Sequence, residues 1–202
     1  MNQTSVVQAS EKAGVNATPV SMRKLGKYEI LDGKMIAKPP ANRSHNVIAS
    51  NFVIAVGSRF QRGSCELYGG GIQVKIGKNS ICLPDVVVVQ GDPEFADENE
   101  DLLLNPTIVV EIFSSLTSST DRTQRLEGFL AVPKLKECVL VNQSDSRIEH
   151  YARQNQKQWI YRIYDERDDV ICLDSINCKL SLAEVYSQTR IREPQLASAT
   201  IN

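Results

Sequence analysis

The chain has 202 residues, 42% hydrophobic and 23% charged, the size and balance of one globular domain that can bury a core, which excludes a mini-protein, a long repeat array and a wholly disordered chain. Its 23 Lys and Arg face 24 Asp and Glu, so no overall basic excess points to nucleic acid. The balance conceals a segregation: residues 1–62 hold nine Lys/Arg and three Asp/Glu, residues 63–120 two and nine, and residues 121–202 twelve of each, an order that could set a cation-binding centre beside an anion-binding surface.

Residues 1–22 are polar and aperiodic, which predicts a disordered tail. In KYEILDGKMIAK two short apolar runs flank Asp32-Gly33, a hairpin signal, and Pro39-Pro40 ends the pair. From Asn42, residues Ile48, Phe52, Val53, Val56 and Phe60 recur at steps of three and four, one face of a helix that should stop near Arg62-Gly63. Residues 65–68 and 72–76 read as half-buried strands parted by three glycines. Residues 84–89 (PDVVVV) and 107–113 (TIVVEIF) are apolar almost throughout, as central strands covered on both faces are, with an acidic loop over 91–105 between them. A helix is expected over 121–130 and a strand over 137–142. Residues 147–153, 158–164 and 170–173 suggest an antiparallel meander, and Ser181 to Glu184 spells a capping box that opens a terminal helix.

One domain over 23–188 follows, with a frayed tail over 189–202. Five cysteines without a CxxC pair, and only two histidines, predict neither a disulfide framework nor structural zinc. The start of the chain lacks signal-peptide and transit-peptide patterns, and no apolar run approaches the ~18 residues of a membrane span. A cytoplasmic protein with no membrane partner is expected.

Two acids stand out by their neighbours. Asp85 opens a four-valine strand, and Glu111 is flanked by Val109, Val110, Ile112 and Phe113. A carboxylate there loses its hydration at a cost of several kcal/mol unless something replaces it. That replacement is either one Arg or Lys partner, a strand end open to water, or a divalent cation shared by Asp85 and Glu111. Lys75, on the polar side of its strand, faces the same centre if that strand pairs with the Asp85 strand; otherwise it is a solvated edge lysine. Arg122 and Arg125 begin the helix after the Glu111 strand, where cations oppose the macrodipole and hint at nearby acids. His45 lies in the first turn of its helix, as a cap, a packing residue or a site residue. Neither GxSxG, GxGxxG, a Walker A loop nor HExxH occurs, which leaves a serine-hydrolase elbow, a dinucleotide fold, a P-loop and a zincin unsupported.

The strings YEILDGK, KPPANRSHNVIASN, CELYGGGIQVKI, PDVVVV, LLLNPTIVVEIFSSLT, DRTQRLEGF and ECVLVNQSDSRIEHYAR, spread in order from about Lys27 to Tyr186, together resemble the Uma-type restriction endonuclease family of the PD-(D/E)XK nuclease superfamily. The resemblance implies an α/β fold with a mixed sheet: an αβββαβ core, an N-terminal hairpin and a C-terminal antiparallel extension. It implies magnesium or manganese on Asp85 and Glu111, hydrolysis of DNA phosphodiester bonds, and a homodimer. The lysine expected two residues after Glu111 is replaced by Phe113, and the family's DRxxK spelling on the next helix ends here in Arg125. Arg125 or Lys75 is therefore the expected stabiliser of the transition state, with His45 and Arg122 as substrate contacts. Arginine keeps the charge but exchanges protons poorly, so a nuclease-fold protein that has lost its chemistry and binds DNA or a partner is the alternative.

Overall fold

The apolar runs build the centre of the molecule. In the computed structural model, which describes residues 28–38, 40–60, 63–114 and 119–191 (of 119–121 the backbone alone), they become β6 (Val86–Gln90) and β8 (Ile108–Phe113). The tail expected over 1–22, and residues 192–202 of the tail expected over 189–202, lie outside the described residues. Both strands are covered on both faces, as continuous valine and isoleucine predict. They belong to a six-stranded sheet ordered β11-β10-β9-β8-β6-β3, with β3 (Cys65–Tyr68), β9 (Glu137–Asn142), β10 (Ile148–Asn155) and β11 (Gln158–Tyr164). Only β8 and β9 pair in parallel; the other neighbours are antiparallel.

One face of this sheet carries Val86, Val88, Ile108, Val110 and Val139, which pack on Ile48, Phe52 and Val56 of helix α1 (Arg43–Gly57). The Asn42 side chain caps this helix by accepting the His45 N–H. It ends five residues before the expected 62, since Gly57 and Ser58 are poor helix formers and the Ser58 N–H already closes on Ile54 and Val56. The other face carries Val87, Val89, Val109, Cys138 and Leu140 against Phe129 of helix α2 (Ser119–Ala131) and residues of a second sheet. That sheet runs β2-β1-β5-β4-β7, from β1 (Tyr28–Leu31), β2 (Lys34–Ala37), β4 (Gln73–Gly77), β5 (Ser80–Cys82) and β7 (Leu102–Leu103). The β1–β2 hairpin turns on Asp32 and Gly33, both at positive φ, as the Asp-Gly pair predicts.

The mixed α/β class and N-terminal hairpin match the expectation from sequence. The meander does not extend as far as expected. The strand β12 (Val170–Leu173) leaves the main sheet and pairs with β13 (Cys178–Ser181) in a separate ribbon. The turn before it is decided locally: Asp169 accepts the N–H groups of Asp165 and Glu166, which folds the chain back on itself after β11. Helix α3 (Leu182–Val185) then opens on Ser181 with the full capping box. Among the described residues no helix is long and apolar enough to cross a membrane.

Candidate metal centre

The register of β6 against β8 pairs Val86 with Val110 and Val87 with Val109. One step further sets Asp85 opposite Glu111, and the Asp85 N–H donates to the Val110 carbonyl at 3.1 Å. Side chains on a strand alternate, so both acids share the face of Val87 and Val109, toward α2 and the hairpin. Cross-strand partners of this kind hold their Cβ atoms about 4.5–5.5 Å apart. Asp85 is 8% and Glu111 6% exposed, so both carboxylates are largely cut off from water.

Three basic side chains converge on them. The Lys38 ammonium is 2.9 Å from Asp85 Oδ1 and 3.9 Å from Glu111 Oε1, and also donates to the Leu83 carbonyl. His45 Nε2 lies 3.0 Å from the same Asp85 oxygen. Asp85 Oδ2 accepts the Ile112 N–H at 2.7 Å, so that carboxylate is held on both oxygens. Arg125, from α2, reaches Glu111 Oε1 at 3.1 Å and Glu29 Oε2 at 2.5 Å. Glu29 is fully buried on β1, and its other oxygen accepts the Leu83 N–H at 2.9 Å.

The electrostatics follow from that crowding. Burial, with Asp85 and Glu29 adding to it and Lys38 and Arg125 opposing, pushes the Glu111 carboxyl up to about 8. Burial works against the Lys38 ammonium, but Glu111, Asp85 and Glu29 outweigh it and its pKa is raised. Burial lowers His45, with Lys38 adding and Asp85 opposing, so the imidazole is neutral at neutral pH. Three carboxylates against two permanent cations leave one negative charge to be met when all are ionised.

The donor chemistry suits a hard divalent cation. Glu111 Oε2 is buried with no hydrogen-bond donor among the described residues. No three His, Cys, Asp or Glu side chains among the described residues form a cage that could hold a metal. Magnesium needs no such cage, since it keeps several waters and takes one or two carboxylates. Asp85 and Glu111 fit that pattern.

Of the residues singled out from sequence, Asp85, Glu111, Arg125 and His45 come together. Arg122 stands at the edge of the adjoining cavity, 2.7 Å from Glu149 Oε2, its guanidinium 4.1 Å above the Phe113 ring. Lys75 is elsewhere: β4 pairs with β5 and β7 in the second sheet and not with β6, and Lys75 is exposed while Val74 and Ile76 turn inward. The condition under which it would face the acids is not met. Lys38 and Glu29 were missed. Glu29 could have been found by its parity with Leu31 on a two-residue period, and Lys38 only by its place in KPPANRSHN, seven residues before His45.

A family model described as "Uma2: Putative restriction endonuclease" matches residues 17–184. The chain is 27% identical over 135 residues to the uncharacterized protein sll1609 of Synechocystis, covering 66% of this chain and 76% of that one. With the uncharacterized protein slr1290 of the same organism it shares 25% identity over 166 residues, 81% of this chain and 85% of the other. A solved structure described as "a putative nuclease belonging to DUF820", from Anabaena variabilis, superposes with a TM-score of 0.66 at 21% identity over 79% of this chain and 89% of its own; that is a likeness of fold.

Proposed function

The chain belongs to the Uma2 family, and from that premise we propose that it is a divalent-metal-dependent nuclease hydrolysing DNA phosphodiester bonds. The observation that carries the reading is that Asp85 and Glu111 reach one Lys38 ammonium, at 2.9 and 3.9 Å, with Glu111 Oε2 left without a donor among the described residues. Magnesium or manganese on these two carboxylates would supply Lewis-acid charge and an activated water. The chain's own residues do the rest. Arg125 holds Glu111 by Oε1, and Oε2, without a donor among the described residues, is the oxygen that would be offered to the ion. The Ile112 N–H and neutral His45 orient Asp85. Lys38, kept charged by its acidic neighbours, donates to the phosphate oxygens as negative charge develops. Lys38 thus takes the role that the sequence assigned to Arg125 or Lys75.

Cutting both strands of a duplex takes two copies of such a site, most simply in a homodimer with a two-fold axis. The exposed Ile160, Tyr161 and Ile163 of β11 are available to a second copy, and sedimentation at micromolar concentration tests for it. The reading itself is tested by nicking of supercoiled DNA with magnesium or manganese, wild type beside Asp85→Ala, together with calorimetric titration of each metal. Cleavage and metal binding that both vanish in the variant support it. Cleavage that survives in Asp85→Ala overturns it.

A further inference from the structure

We propose that the cavity beside Glu111 is a pocket for one unpaired nucleotide, so that the substrate is a single strand or a nucleotide turned out of a duplex; this rests on the nuclease reading above. The cavity measures about 400 Å³ and is lined by Lys38, His45, Glu111 and Arg125 at its charged end. Asp85 and Glu111 are nearly buried. Glu111 lines the cavity, so a phosphate that reaches its carboxylate enters there, and the attached sugar and base come with it. That volume is within the range of small-molecule pockets, ~300–1,000 Å³. A paired base is stacked inside its duplex and cannot follow its phosphate into such a pocket unless it is extruded.

Phosphate hydrolysis uses only the charged end. The same cavity is walled by Ile36, Leu126, Phe129 and Leu140, an apolar surface with no part in that chemistry and well matched to the face of a base. At the rim, the Arg122 guanidinium carbon is 4.1 Å from the Phe113 ring centroid and the group is anchored by Glu149 at 2.7 Å. It forms an oriented guanidinium plate of the kind on which unpaired bases stack. Gln143 lines the cavity too, and its Oε1 is buried without a hydrogen-bond donor among the described residues. Such an acceptor is costly to leave unmade. A side-chain amide carries a donor and an acceptor side by side, the complement of a base edge. The Gln143 backbone N–H is tied to the Phe113 carbonyl at 2.9 Å, which keeps this amide next to the plate.

The test uses the full chain and four labelled DNAs of one length: a single strand, the same strand with abasic sugars, a perfect duplex, and a duplex with one mismatch. Binding is read by anisotropy, and cleavage with magnesium or manganese. The base-bearing strand should bind about tenfold more tightly than the abasic one, since stacking of each base is worth that much or more. The mismatched duplex should be cut about tenfold faster than the perfect one, because its base is cheaper to extrude. Gln143→Leu, with folding checked by circular dichroism, should weaken binding of the base-bearing strand toward the abasic level and leave abasic binding unchanged. Equal binding of the two strands, or a perfect duplex cut as fast as the single strand, overturns the pocket. If no DNA is cut while base-dependent binding persists, the nuclease reading fails and the pocket stands.

Discussion

Lys38 and Asp85, 47 residues apart in the chain, meet at 2.9 Å, and the same ammonium lies 3.9 Å from Glu111. The residue that follows the β1–β2 hairpin thus delivers the cation that two buried carboxylates require. The charge at the centre is shared between a strand end, a sheet and a helix.

Lys38→Met should lower DNA cleavage by about 100-fold or more, the scale seen when one preorganised donor to a developing anion is removed. Metal affinity should stay the same or rise, since a competing cation has gone from between the acids. Lys38→Arg should not restore the rate, because the planar fork cannot replace a compact ammonium bonded to both Leu83 and Asp85. The checks are nicking rates and calorimetric titration, and a Lys38→Met protein cutting at the wild-type rate would return the role to Arg125.

Glu111 has its pKa raised from 4.5 to about 8. A folded-state value above the unfolded one means that the stability tied to this group is fully present below pH ~4.5 and is lost as pH climbs through ~8. Glu111→Gln cannot ionise and escapes that loss. The melting temperature of the variant relative to wild type should therefore rise between pH 4.5 and pH 8 and then level off. Metal titration of the wild type near pH 7 should release a proton, read from calorimetry in buffers of different ionisation heat, and the Gln variant should bind no metal.

Arg125 stands between Glu111 and Glu29, 11% exposed. Arg125→Ala leaves both carboxylates short of a partner and should cost about 3–5 kcal/mol at neutral pH, less in acid where they can take up protons. Arg125→Lys, too narrow to bridge both acids, should fall between and should not accelerate cleavage. Urea denaturation at pH 5 and pH 7.5 separates these outcomes from a merely local packing loss, which would not depend on pH.

Arg153 closes the end of α2 from the main sheet. Its guanidinium donates to the carbonyls of Leu135, Leu130 and Val132 at 2.7–2.8 Å and lies 4.2 Å over the Trp159 ring. Arg153→Ala should cost about 2 kcal/mol or more through orphaned helix-end carbonyls and the lost ring contact. Arg153→Lys should recover only part of it. Chemical denaturation is the measurement, with metal binding expected to persist in both variants.

The sequence alone determined the central strands, the hairpin and the main helices, because each is written in a local signal: continuous valines, Asp-Gly, a three-and-four spacing, a capping box. It also marked Asp85 and Glu111, since an acid among valines is costly wherever such a strand lies. The family pattern gave roles beside them to Arg125 and His45, which their places on the helices had already marked. Tertiary structure decided which cation meets the acids. Lys38 follows a four-residue strand, and its place depends on the hairpin docking against β5 through the pair Ile30–Ile81 and the bonds Gly33–Asn79 and Glu29–Leu83. The alternation that marked Lys75 as outward-facing was right, but a period of two says nothing about which sheet a strand will join. Strand β12 went astray for the same reason: its apolar run is compatible with any edge, and the Asp169 turn chose one. Pairing partners are selected by contacts far apart in the chain, so the lysine that completes the centre became visible only when the two sheets were laid together.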